Sequence, residues 1–219
     1  MVQRRANMRR IPDSTIRRLP AYLRVLESQK EERTTSVALG ERTGYSSEQV
    51  RKDLAYFGAF GTRGVGYDVS QLGQQIRHIL GLDRSVTAVL VGVGHLGTAL
   101  LRYTQEGVRD VQFAAALDNN PQVIGGAIGS IVVEDIKHLE SVVRERKIRL
   151  AVLTVPAAAA ESVALRLAEA GVGAILNFAP VPILTDQDRV LVQNLDLTLE
   201  MQAMAYFVTE HDDLHPPVS

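Results

Sequence analysis

The stretch "VTAVLVGVGHLGTALLRYTQEG", Val86 to Gly107, decides how this chain is read. Its first six residues form a nearly unbroken apolar run, the pattern of a parallel strand covered on both faces. Gly92, Gly94 and Gly97 follow at once in G-x-G-x-x-G order, and the residues from His95 read as a helix closed by Gly107. A second apolar run, "VQFAAAL", ends at Asp118, 21 residues beyond Gly97. Strand, glycines, helix, strand and acid in that order predict a dinucleotide-binding unit. Gly92 makes the turn, Gly94 admits a pyrophosphate to the backbone, and Gly97 lets helix pack on sheet, with Val93, His95 and Leu96 completing the loop. Free N–H groups at the helix start would meet the phosphates. Asp118 would accept a ribose 2′-hydroxyl and repel a 2′-phosphate, which favours NAD(H) over NADP(H).

The alternation of strand and helix continues. Glu134 to Lys147 reads as a helix, "RLAVLTV" (Arg149 to Val155) as a strand, and the next helix runs to Ala170 with Gly171 as its stop. "GAILNFAPV" is a strand that breaks at Pro180, and "VLVQNL" is the last strand. The sum is a Rossmann-like, doubly wound parallel sheet with its ligand at the carboxyl ends of the strands. Val155, Pro156, Asn177 and Phe178 fall at those ends and are expected to line the nicotinamide side. Beyond residue 195, "NLDLTLEMQAMAYFVTEH" predicts a helix capped by Asp196. Leu199, Ala203 and Tyr206 mark one apolar stripe, and Leu197, Met201, Met204 and Val208 another. A helix apolar on nearly all sides must be buried. A second subunit, by domain exchange in a homodimer, is the expected cover, and a partner's Phe207 could then reach the ring.

The first third has another character. Ile16, Leu19, Leu23 and Leu26 recur at helical spacing, with Pro20 predicting a kink or a fresh helix start. Thr35 to Thr43 is a second helix, stopped by Gly44. In "YSSEQVRKDLAYFG", Ser46 with Gln49 makes a capping box, and Val50, Leu54 and Phe57 form a buried stripe. Ser47 and Arg51 share another face, with Lys52 beside them. Two short helices around a tight turn, with small polar and cationic groups early on the second, suit DNA reading in the major groove. Four glycines in nine residues (58, 61, 64 and 66) then predict a hairpin with Arg63 at its tip, a wing able to enter the minor groove. Ser70 is expected to cap a further helix whose Leu72, Ile76, Ile79 and Leu80 face a core and which Gly81 ends.

Charge divides along the same line. Residues 1–84 carry 15 Lys/Arg and 9 Asp/Glu, and the remainder carry 9 and 16. A basic first part and an acidic remainder point to different partners, the first nucleic acid. There is no cysteine, which excludes disulfides, thiolate metal sites and thiol redox switches. No metal site and no membrane span are expected, because no run of about 18 apolar residues occurs. The start, "MVQRRANMRRIP", lacks the apolar stretch of a signal peptide, so the cytoplasm is the expected location. The domain reading is 1–82 winged helix, 83–195 Rossmann domain, and 196–219 dimerisation helix and tail.

Five stretches together carry a resemblance: "IPDSTIRRLPAYLRVLE" (Ile11 to Glu27), "SSEQVRKDLAYFGAFGTRGVGYDV" (Ser46 to Val69), "GVGHLGTAL" (Gly92 to Leu100), "GAILNFAP" (Gly173 to Pro180) and "NLDLTLEMQAMAYF" (Asn194 to Phe207). The chain resembles the Rex family of redox-sensing transcriptional repressors over about residues 10 to 210. His95 departs from the Asn frequent there, and "KEERTTSVALGERTG" matches more loosely. The resemblance implies a homodimer that binds a palindromic double-stranded operator when NAD⁺ prevails and lets go when NADH binds. It also implies a switch triad of Arg18, Tyr103 and, from the other subunit, Asp196. Two alternatives stand beside it. An NAD-dependent dehydrogenase needs an acid or base at the ring, where these strand ends offer Val, Pro, Asn and Phe. A CoA-binding regulatory module shares the "VPA" and "NFAP" turns, but Asp118 argues against it.

Overall fold

The computed structural model describes residues 11–58, 61–62, 65–107, 110–184 and 190–214. The chain forms two compact units, Met1–Arg84 and Ser85–Ser219.

In the first unit, α1 (Asp13–Ser28) packs with α2 (Ser36–Thr43), α3 (Ser47–Ala55) and α4 (Val69–Leu80), beside a small antiparallel sheet of β1 (Arg33–Thr34), β3 (Gly66–Asp68) and β2 (Gly61–Thr62), in that order. Helical spacing brings Leu19, Leu23, Leu26, Val50, Leu54, Leu72 and Ile76 into one core, with Ile16, Phe57, Ile79 and Leu80 half-buried at its edge. Two expectations change. The first helix does not restart at Pro20 but runs through it as one element; the residue is exposed, so its ring points away from the core. Ser70 is not the cap of α4. Asp68, the last residue of β3, accepts the Gln71 N–H instead, because a carboxylate one position before the helix suits the orphan N–H groups better.

One charge lies inside this core. The carboxylate of Asp53 has no solvent exposure. It accepts hydrogen bonds from Thr15 Oγ1 at 2.9 Å, Arg18 Nε and Nη2 at 2.6 and 2.7 Å, Tyr22 Oη at 2.8 Å and Gln49 Nε2 at 2.9 Å. Burial pushes the Asp53 carboxyl up, yet the bonds from Arg18, Tyr22, Thr15 and Gln49 outweigh it and hold it below the usual carboxylate range. Burial and the bond to Asp53 push the Tyr22 phenol up.

In the second unit the sheet order is β10-β9-β8-β4-β5-β7-β6. These strands are β4 (Val86–Val91), β5 (Val111–Asp118), β6 (Ala127–Ile128), β7 (Ile131–Asp135), β8 (Leu150–Leu153), β9 (Ala174–Asn177) and β10 (Leu191–Asn194). All neighbours are parallel except the β6–β7 hairpin at one edge. Helices α5 (His95–Gly107), α6 (Leu139–Glu145) and α7 (Ala157–Ala170) form the crossovers, and α8 (Leu197–Leu214) follows β10. Strand order reverses beside β4, so the chain diverges at the ends of β4 and β8 and leaves a crevice there. The helix expected from Glu134 is corrected. "IVVED" is strand β7, with Val133 paired to Ala116, because its β-branched residues suit a strand paired beside β5. Asp135 then caps a short 3₁₀ turn, Ile136–His138, and the helix begins only at Leu139.

Because Asp53 is held low in the folded chain, the stability it supports is complete above the unfolded carboxylate pKa of about 3.9. It is lost as pH falls through the lower folded value. Amide exchange of α1 and α3 in the full chain should therefore accelerate together below about pH 4. An acid response that spares both helices would contradict this account.

Candidate functional site

The glycine loop is built by close approach at the ends of β4 and β8. Gly92 has φ +100°, and a Cβ there would meet the Thr154 backbone at 2.7 Å. A Cβ on Gly97 would collide with the Gly92 carbonyl, whereas one on Gly94 would meet nothing within 4 Å. Two glycines thus serve the chain's own packing, and the third borders open space. Three bonds hold the shape. Gly92 N–H donates to Leu117 O at 2.8 Å, Thr154 Oγ1 donates to Gly92 O at 2.5 Å, and Val93 N–H donates to Asp118 Oδ2 at 2.5 Å. The other Asp118 oxygen accepts Asn120 N–H at 2.8 Å.

A trough crosses this loop in two halves. One half, about 500 Å³, is bounded by Val93, Gly94, His95, Thr98, Arg102 and Asp118. The other, about 490 Å³, is bounded by Leu96, Ile136, Thr154, Val155, Pro156 and Phe178, among others. Gly94, Asp118 and Asn120 belong to both. Arg102 lines the first half alone, Asp118 is shared, and the second half is the more apolar. The fit to a dinucleotide is direct: an open glycine at the α5 N-terminus for phosphates, a carboxylate beside it for ribose, and an apolar slot beyond.

Asn177 does not line the slot. Its side chain is fully buried, donating to Val181 O at 2.8 Å and Asn194 Oδ1 at 2.9 Å and accepting from Ala179 N–H at 2.9 Å. It braces the turn after β9, and that turn presents Phe178 and Pro180 to the slot. Sequence reading missed Thr154, Ile136 and Arg102. The Ile136 turn is itself clamped, because Arg166 donates to Ile136 O at 2.9 Å while gripping Glu140 through Nε and Nη2. Arg166 holds the Glu140 carboxyl down at about 2. Tyr103 on α5 and Phe207 on α8 are exposed, at 64% and 56%. Asp196 accepts Thr198 N–H at 2.9 Å and Leu199 N–H at 3.3 Å, which caps α8.

In the first unit, Gly44 ends α2 in the left-handed region, and the Ser46 hydroxyl accepts Gln49 N–H to start α3. Ser46, Arg51 and Lys52 are exposed and Ser47 is partly so. Arg51 Nη1 donates to Ser36 Oγ at 3.0 Å, which leans the guanidinium toward α2. Gln49 departs from expectation. Its amide turns inward to Asp53, so only half of the capping box forms and the side chain is not offered outward. The hairpin pairs Gly61 with Tyr67 and Thr62 with Gly66. Arg63, assigned to its tip, lies outside the described residues.

Residues 10–55 match a family model described as "Putative DNA-binding protein N-terminus", and residues 83–181 one described as "CoA binding domain". The chain is 41% identical over 202 residues to a protein of Natranaerobius thermophilus named redox-sensing transcriptional repressor Rex, covering 91% of this chain and 92% of that one. A protein of the same name from Chloroflexus aggregans is 44% identical over 202 residues, covering 90% and 94%. Among solved structures, RSP in complex with β-NAD⁺ and operator DNA superposes with TM-score 0.85 at 32% identity, covering 95% of this chain and 99% of that one.

Replacing Asp118 by Ala removes both the expected ribose acceptor and the bond that closes Val93. NADH affinity in calorimetry should fall about tenfold or more, and discrimination against NADPH should narrow. Unchanged affinity and discrimination would overturn the ribose assignment.

Proposed function

This chain belongs to the Rex family of redox-sensing transcriptional repressors, and on that premise we propose that it binds an operator and releases it as NADH displaces NAD⁺. It is a sensor and not a dehydrogenase. The observation that carries the reading is the asymmetric trough, with ribose and phosphate groups on one side of Gly94 and an apolar slot on the other. Gly92 to Gly97 and Asp118 would hold the part common to both coenzymes. The two forms differ at the ring, which is neutral when reduced and cationic when oxidised. Leu96, Ile136, Val155, Pro156 and Phe178 offer the ring apolar contacts and no anion, the shared Asp118 being taken up by the ribose, so the neutral ring is favoured. A shift from 99:1 to 1:99 between DNA-binding and released states needs about 5.5 kcal/mol of differential affinity. Two such slots in a dimer can share it.

Within this reading, residues 1–82 recognise DNA, 83–195 hold the coenzyme, and 196–219 join two copies. Ser46, Ser47, Arg51, Lys52 and Arg63 face the duplex, and Arg18, Tyr103 and the partner subunit's Asp196 relay the coenzyme state. Any carboxylate that recruits Arg18 competes with Asp53, which already holds it at 2.6 Å. The homodimer is supported by α8, where Leu197, Leu199, Met201, Met204, Tyr206, Phe207 and Val208 are each more than half exposed. Among the described residues no helix is long and apolar enough to cross a membrane, and cytoplasmic residence follows from the proposed DNA partner.

A gel shift with DNA from the gene's own upstream region should show a complex that survives NAD⁺ and dissolves on NADH addition. Equal release by both forms would defeat the sensing mechanism. Titration should rank NADH above NAD⁺ and both above CoA. Sedimentation should give a dimer that Met201→Glu with Met204→Glu dissociates; a wild-type monomer would overturn the role of α8.

A further inference from the structure

The hydrogen bonds on Asp53 come from a stripe of α1 at positions 15, 18 and 22 and from Gln49 on α3 itself. The same guanidinium of Arg18 lies over the Tyr45 ring, 5.8 Å from its centre, and Tyr45 meets Tyr22 edge to face at 5.8 Å. Tyr45 stands in the turn between α2 and α3. The carboxylate therefore ties α1 to α3, and its partners Arg18 and Tyr22 carry the tie on to the turn.

The rest of the hold on α3 is apolar. Val50 and Leu54 are the buried hydrophobic residues of that helix. Apolar burial has no direction and tolerates a helix that rolls or slides by a few degrees. A forked guanidinium–carboxylate pair does not, because two parallel bonds fix both distance and plane. Stability alone does not call for such a group, since well-packed apolar residues often do as well as a buried ion pair. Direction is what the network adds.

We propose that Asp53 is a specificity-determining positioning residue: it fixes the roll and depth of α3 so that Ser47 and Arg51 meet base edges in register. The inference rests on reading α3 as the DNA-contacting helix. Gln49, Thr15 and Tyr22 act with it, and Arg18 acts through it. Phosphate contacts from flexible cations such as Lys52 tolerate a rolled helix, whereas base contacts do not. Loss of Asp53 therefore removes sequence discrimination before it removes affinity for DNA as such.

The test uses the full chain with NAD⁺ and two probes: the duplex that the wild type selects from a random pool, and a scrambled duplex of equal length and composition. Asp53→Asn should weaken binding to the selected duplex at least tenfold, change binding to the scrambled duplex less than twofold, and leave the salt slope unchanged. Tyr22→Phe and Thr15→Val each delete one bond and keep the ion pair; each should lose discrimination about threefold. If Asp53→Asn unfolds the first unit, these two milder variants decide. Full discrimination in folded variants, or parallel loss on both probes, overturns the proposal. A wild type that prefers no duplex overturns the DNA-binding reading itself, and the positioning role with it. A discriminating wild type beside an equally discriminating Asp53→Asn overturns the positioning role alone.

Discussion

The second unit depends on how closely the backbone passes itself at the ends of β4 and β8. Thr154 and the Gly92 carbonyl occupy the space that side chains at positions 92 and 97 would need. That steric demand lets α5 start hard against the sheet. It also aims the helix N-terminus along the crevice where strand order reverses. Fold and loop shape are consequences of one contact. The neighbouring turns inherit their positions from it: Thr154 leads into Val155 and Pro156, and Phe178 N–H donates to Leu153 O at 2.8 Å, which keeps the apolar wall beside the loop.

The two units use burial in opposite ways. In the apolar half of the trough, Leu96, Val155, Pro156 and Phe178 present groups that carry no charge, and under the proposed function selectivity would arise from what they fail to provide. In the first unit a charge is buried and Thr15, Arg18, Tyr22 and Gln49 turn their donors toward it, so what burial adds there is direction. The Arg166–Glu140 pair sits between these strategies. It is partly exposed and adds little by itself, but its third bond, to Ile136 O, holds one wall of the slot.

Much of this was legible in order and spacing. Gly92, Gly94, Gly97 and Asp118 stand at intervals set by local geometry, and Leu19, Leu23 and Leu26 fall on one helical face wherever that helix packs. Residues whose role depends on distant partners were not legible. Asp53 looks like a surface charge beside Lys52, and its donors Thr15 and Tyr22 lie 38 and 31 residues away. Asn177 looks like an amide at the mouth of a cleft, but Asn194 and the turn at Val181 draw it inward. Strand β7 was not read, and its last residues, Glu134 and Asp135, were joined to the helix because they lead directly into "IKHLESVVRER", whose helical pattern masks the strand before it. Gln49 could have been a base contact by position; only the carboxylate one turn later decides which way it faces.

The loop at Gly92 to Gly97 is shaped by the chain's own bonds, from Val93 to Asp118, from Thr154 to Gly92 and from Gly92 to Leu117. A socket already set in this way surrenders little conformational entropy when a coenzyme arrives. Arrival then needs no slow rearrangement of the loop, and its frequency follows the concentration of each coenzyme in the surroundings. Under the proposed function the clock of the response would then be set by departure: residence time of the coenzyme, not capture, would determine how long a past metabolic condition stays written in the protein.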